Sequence, residues 1–355
     1  MLFDSRERSD QDAKGYGESN WEFLDRSSLP EAQRARDFLA GSYARYPETH
    51  RSDLIGRIRG GDDTEFHAAV FELVVFSGLA ALGCSIEVHP QLPNSSRRPD
   101  FLARTPAGDE AYVEATLASE FDREARASAR RTKVVLDAIE QLDSPDFMIG
   151  FSAEGDPRTP PSGRLLRHSI RQWLSRLDYE SARTGLETNQ PNCFDEYRWE
   201  GDGWDIKFDA IPRRRDRRGP GRRTIGAIVG NAHWGTSHEI IRAAVKAKGS
   251  RYGELSLPLL IAINVDALSV QRDDEIAALF GDGQHLERLD DRSAPPRFAR
   301  ARNGAWVGPT GPRYTRVSGA WIFRRQQVLA IRLQRPAACK RRGWHDAVAS
   351  RANTA

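Results

Sequence analysis

The chain has 355 residues, 39 % hydrophobic and 29 % charged, with a formal net charge of +3. At about 100–200 residues per domain this is one elaborated domain or two ordinary ones, with apolar residues enough for a core. No apolar run reaches the roughly 18 residues of a membrane helix. The opening MLFDSRERSDQDAKGYGE has neither a signal nor a transit-peptide pattern. Cys84, Cys193 and Cys339 are too few and too scattered for a disulfide framework. These features predict a soluble, cytoplasmic protein. No CxxC or HxxxH pair is present for structural zinc, and His233 and His238 read as members of a polar loop.

Residues 1–20 lack periodicity and read as a disordered lead-in. A polar helix is predicted over 29–46, with Ser28 as its cap and Pro30 in its first turn. The strongest helical pattern covers 64–82. There Phe66, Val70, Leu73, Val74 and Ser77 share a face, Thr64 is the expected N-cap and Gly83 the C-terminal stop. Strands are expected over 85–89, 100–104 and 111–117, the last two joined by TPAGDE as a hairpin. A charged helix over 120–142 and a strand over 146–153 complete an α/β core spanning 64–153. Beyond it, 164–178 and 238–248 read as helices, and 204–211 and 224–229 as strands joined by an arginine loop. The unbroken apolar run 257–265 reads as a strand inside the sheet, returning to the first sheet rather than founding a second domain.

Three acids fall at telling positions. Glu72 lies within an otherwise apolar helix, where a charge needs a partner. Asp100 opens a strand directly after Pro99. Glu114 sits mid-strand between Val113 and Ala115, on the opposite face from them and on the face of Thr116. In the hairpin the start of one strand lies near the end of the other, so Asp100 and Glu114 converge, and the preceding helix can bring Glu72 over them. Such an oxygen-rich cluster suits Mg²⁺ or Mn²⁺.

FELVV, GCSIEVHP, RRPDF, a short hairpin and VEAT, all within 64–153, resemble the core of the PD-(D/E)xK nuclease superfamily. KGSRYGELSLPLLIAIN and AALFG are similar to segments of bacterial proteins carrying that core. The resemblance implies an α/β, restriction-endonuclease-like mixed sheet flanked by helices, with a large insertion and a basic C-terminal extension. It divides the chain into a lead-in (1–20), an N-terminal helical extension (21–63), the nuclease-like core (64–153), an insertion (154–250), a return strand with further elements of the same domain (251–335) and a basic tail (336–355). It also implies that Glu72, Asp100 and Glu114 bind the metal of a Mg²⁺- or Mn²⁺-dependent DNA phosphodiesterase. The superfamily lysine, which orients or activates the attacking water and offsets phosphate charge, is replaced here by Thr116. Lys133, on the helix after the hairpin, and Lys246 and Lys248, on the helix before the buried strand, are the candidate substitutes. Without a substitute the chain would be a degenerate nuclease scaffold that binds nucleic acid or another partner.

Arginine outnumbers lysine 47 to 6 and clusters at 213–223, 297–302 and 339–345. Phosphate contacts are expected in the first cluster, at Arg213, Arg214, Arg215, Arg217, Arg218, Arg222 and Arg223. Trp199, Trp204 and Trp234 are candidates for base stacking or for ordinary packing. The expected partner is nucleic acid, DNA ahead of RNA, and not a membrane; the resemblance admits a homodimer, since many such nucleases cut two strands as dimers. No phosphate-loop, Rossmann, GxSxG or HExxH pattern competes with this reading.

Overall fold

The chain begins with four helices: α1 (Asn20–Arg26), α2 (Pro30–Arg45), α3 (Arg51–Arg59) and α4 (Asp63–Ala81). The computed structural model describes residues 1–93, 95–119, 123–155, 159–188, 194–201, 203–229, 237–266, 270–286 and 295–324. α4 is apolar on most of its circumference because it is a core helix, packed against α2, α3 and the adjoining sheet. Among the described residues it is the one helix long and apolar enough to cross a membrane. Its N-cap is Asp62 rather than Thr64: the Asp62 carboxylate accepts the N–H groups of Thr64 and Glu65, so an acid meets the positive helix end. Gly83 stops the helix at a left-handed φ of 78°. α2 starts on Pro30 with no side-chain cap, because the Ser28 hydroxyl donates to the Asp10 carbonyl instead. Residues 1–19 form no helix and one isolated bridge, Asp10 with Ser27, yet Leu2 is 2 % exposed and its carbonyl is held by Arg59 at 2.7 Å.

Two mixed sheets follow. The first takes β1 (Ser85–Val88), β2 (Phe101–Arg104) and β3 (Glu110–Ser119) as an antiparallel meander. The chain then leaves through α5 (Arg123–Glu140) to build the second sheet. Its elements are β4 (Phe147–Gly155), α6 (Gly163–Leu174), α7 (Tyr179–Glu187), β5 (Asp195–Gly201), β6 (Trp204–Pro212) and β7 (Ile225–Val229), with strand order β5-β6-β4-β7. α8 (Ser237–Gly249) leads back to β8 (Leu259–Asp266), parallel to β3. After α9 (Arg272–Phe280) come two small ribbons, β9 (Gly283–Leu286) with β10 (Arg297–Arg300) and β11 (Val307–Gly308) with β12 (Gly311–Pro312). The first sheet closes with β13 (Val317–Arg324) parallel to β8, in the order β1-β2-β3-β8-β13. The fold is α/β, with mixed sheets flanked by helices.

The strand expected to complete the first core, β4, belongs to the second sheet. Phe147, Ile149 and Phe151 pack with Leu166, Ile170 and Phe208 in a core of their own. An alternating strand announces a buried face without naming the sheet it joins. The first sheet is covered on both sides: Phe101, Val113 and Ala262 pack with α4, whereas Tyr112, Ile261 and Ile263 pack with Ile241 and Val245 of α8. That double burial explains the unbroken apolar run of β8. Cys84 is a free, half-buried thiol. Cys193, Cys339, His233, Trp234 and the 339–345 cluster lie outside the described residues.

Candidate active site

In the β2–β3 ladder Phe101 stands opposite Val113, so Asp100, one residue beyond, stands beside Glu114 on the face covered by α8. The Ala115 N–H donates to Asp100 Oδ2 at 2.7 Å and ties the start of one strand to the next. Glu114 is 1 % exposed. Its Oε1 accepts from Lys248 Nζ at 2.6 Å and Arg251 Nη1 at 3.3 Å, and the Tyr252 hydroxyl donates to Oε2. Lys248 therefore reaches the acids from the last turn of α8, with Arg251 and Tyr252 just beyond it. Lys246, two residues earlier, points about 200° around the helix; burial, then Arg242 and Arg313, lower its pKa. Lys133 pairs with Asp63 at 3.1 Å, at the start of α4.

Glu72 approaches from the opposite face of the sheet. The Tyr46 hydroxyl donates to Oε1, Arg57 Nη2 donates to Oε2 at 2.7 Å, and His89 Nε2 lies 3.9 Å from Oε1. His89 occupies a left-handed conformation (φ 50°), and its N–H donates to the Asp100 carbonyl at 2.9 Å. The His50 ring packs edge-on to His89 at 5.2 Å, and burial, His89 and Arg98 lower the pKa of His50. The three acids thus form a pair and an outlier, which still feel one another. Burial first, then Glu114 and Glu72, push the Asp100 pKa up to about 7 against the opposing pull of the Ala115 N–H and Lys248. Tyr46 and Tyr252 are raised by burial and by the acid each one bonds, which keeps both hydroxyls as donors.

Hard oxygen donors fit a divalent cation at Asp100 and Glu114. The cations already present centre on Glu114, leaving Asp100 with a backbone N–H and two repelling acids. Mg²⁺ commonly takes one or two carboxylates and completes its shell with water and phosphate oxygens. Among the described residues no three His, Cys, Asp or Glu side chains gather into a metal cage, in keeping with Glu72 lying across the sheet. No family model, curated protein or solved structure matches this chain.

The arginine loop proves largely self-paired. Arg213 is 4 % exposed, and its guanidinium donates to the carbonyls of Ser144 (3.0 Å) and Arg223 (2.6 Å), so it braces the loop from inside rather than projecting from it. Arg215 pairs with Glu180 at 2.7 Å, Arg218 with Asp146 at 2.7 Å, Arg214 with Asp216 at 3.3 Å and Arg223 with Glu140 at 3.8 Å. Arg217 lies 3.9 Å from Asp216, and Arg222 is exposed. Trp204 is buried, with its Nε1 donating to the Thr159 carbonyl at 2.8 Å, and Trp199 is half-buried against the second core. Sequence reasoning misses Tyr46, Arg57, His89, Arg251 and Tyr252. The one local signal is KGSRY, where a lysine, an arginine and a tyrosine stand at close spacing around the end of a helix.

Proposed function

We propose that the protein is a metal-dependent phosphodiesterase acting on nucleic acid, DNA ahead of RNA, on a restriction-endonuclease-like scaffold. One observation carries the reading: a half-buried aspartate whose ionisation two glutamates oppose, beside a strand acid held 2.6 Å from a lysine of helix α8. Asp100 and Glu114 would hold Mg²⁺ or Mn²⁺, and Glu72 is a charge partner across the sheet rather than a ligand. When bound, the metal supplies Lewis acidity: it lowers the pKa of a coordinated water and stabilises charge on the phosphate. Lys248 takes the role that Thr116, an uncharged hydroxyl, cannot fill: its ammonium offsets charge beside Glu114 and orients the nucleophile. Tyr252 fixes the other Glu114 oxygen, so the carboxylate is held before substrate arrives. Arg97, Arg98 and Arg251 are exposed around these residues, and Arg97 Nη1 donates to the Arg251 carbonyl at 3.0 Å, joining both sides of the rim. These guanidiniums suit the flanking phosphates.

A second reading, a catalytically inactive nucleic-acid-binding or interaction protein, is favoured by a different observation: both oxygens of Glu114 and both of Glu72 already accept hydrogen bonds. Calorimetric titration of Mg²⁺ and Mn²⁺ into wild type and Asp100→Asn, with DNA cleavage followed in parallel, separates the two. The phosphodiesterase reading expects millimolar or tighter binding, abolished together with cleavage in Asp100→Asn. Folded wild type that binds neither metal, with or without DNA, establishes the second reading.

A further inference from the structure

Helix α6 buries Leu166, Ile170 and Trp173 in the second core. Its outer flank carries Arg164, Arg167, His168 and Arg171, at i, i+3, i+4 and i+7, so all four stand on one face. With Ser162 and Leu165 they line an open depression of about 790 Å³, and no acidic side chain among the described residues lines it. Among the described residues no carboxylate pairs with any of the four; Arg167 Nη1 donates to the Ala138 carbonyl at 3.5 Å. The helix is set firmly on α5: a Cβ at Gly163 would lie 2.8 Å from that of Ala138, so glycine permits the close approach that fixes this face.

The contrast with the arginine loop favours α6 over that loop as a phosphate surface. A guanidinium already on a carboxylate must break that pair to meet a phosphate, whereas an unpaired one releases counterions on binding and contributes in full. We propose that this face of α6 binds the phosphodiester backbone of nucleic acid, at a surface separate from the carboxylate site and whether or not that site cleaves. From Arg164 to Arg171 the helix advances about 10.5 Å, the length of about three phosphates of one strand at about 3.4 Å of duplex axis each. Guanidinium forks suit phosphate oxygens in pairs. An anionic bilayer fits less well, because the apolar stripe that a membrane-lying helix would insert is spent on the protein core. The pattern RLLRHSIR conceals the surface in sequence, since its cations are interleaved with core residues and form no run.

The test uses the full chain in EDTA, so that cleavage plays no part, and follows a short labelled DNA duplex by fluorescence anisotropy between about 50 and 200 mM salt. The α6 triple variant Arg164→Gln/Arg167→Gln/Arg171→Gln should bind more weakly, with a log K against log salt slope shallower by about 2.7, or about 0.9 for each phosphate no longer neutralised. Arg164→Lys/Arg167→Lys/Arg171→Lys keeps the charges and should retain most of the slope. The loop variant Arg214→Gln/Arg217→Gln/Arg222→Gln should change it by less than about 1. The titration needs neither metal nor turnover, so failure of the phosphodiesterase reading leaves this result standing. If the glutamine variant melts at a lower temperature than wild type, a comparison at matched folded fraction against the lysine variant decides. An unchanged slope in the glutamine variant, a larger fall in the loop variant, or no duplex binding by wild type overturns the proposal. So does wild type that ignores DNA but sediments with phosphatidylserine–phosphatidylcholine vesicles through these arginines.

Discussion

Asp100→Asn removes a charge that the fold resists, and its effect on stability should grow with pH. Burial, Glu114 and Glu72 raise the Asp100 pKa from the ordinary 3.8 to about 7. The folded state therefore prefers protonated Asp100: the associated stability is fully present below about pH 4 and is lost as pH rises through 7. At about 1.36 kcal/mol per pH unit, the loss between pH 4 and pH 8 is about 4 kcal/mol. Asp100 keeps some contact with solvent, so screening makes that figure a ceiling. Asparagine has nearly the same shape and keeps an oxygen for the Ala115 N–H, so the comparison isolates the charge. Urea denaturation of both proteins in chelator across this range should give curves that nearly coincide in acid and then separate, with the variant more stable by up to about 4 kcal/mol at pH 8. Mg²⁺ at about ten times its Kd should then return about 1.4 kcal/mol to wild type and nothing to the variant. A separation that does not change with pH, or a wild type that is the more stable at pH 8, would mean that Asp100 ionises comfortably. This pair of acids would then have no need of a cation.

Lys248→Met leaves Glu114 buried with fewer cations; denaturation should show a loss of about 3 kcal/mol and DNA cleavage should cease. Lys246→Met should stay within about 0.5 kcal/mol of wild type. Tyr252→Phe removes the donor to Glu114 Oε2 and should cost about 1–3 kcal/mol, visible as a lower urea midpoint with unchanged slope. Arg213→Ala should cost about 2–3 kcal/mol because the Ser144 and Arg223 carbonyls lose their donor. Arg214→Ala, at an exposed position, should change melting little.

How much is legible in the sequence depends on whether the signal is local. Helix α4 and the β2–β3 hairpin follow from periodicity and turn chemistry, and they place Asp100 beside Glu114. The apolar run of β8 likewise announces a strand covered on both faces. α7 and β5 carry mostly polar residues and show little periodic contrast, so nothing marks them before the tertiary packing does. The acid trio departs from expectation in one respect. Glu72 faces the sheet from α4 and Glu114 faces α8, and a helix predicted to lie over a hairpin does not say which face it covers. The choice among three lysines is open in the sequence for the same reason. Helical geometry alone says that Lys246 and Lys248 cannot both face the sheet, but choosing between them requires the pairing of β8 with β3. Arg213 reads as exposed because its neighbours are; the carbonyls that hold it belong to segments 69 and 10 residues away.

The insertion of a whole second sheet between β3 and β8 gives the protein a built-in delay. Glu114 and Lys248 are 134 residues apart, so at roughly 5–20 residues per second a ribosome delivers the lysine about 7–27 s after the acid. Until then β3 has no β8 beside it, and its acid lacks the cation, the arginine and the hydroxyl that all come from residues 248–252. A nascent chain or an early truncation would thus carry an incomplete carboxylate site, which would be assembled in one step when α8 docks.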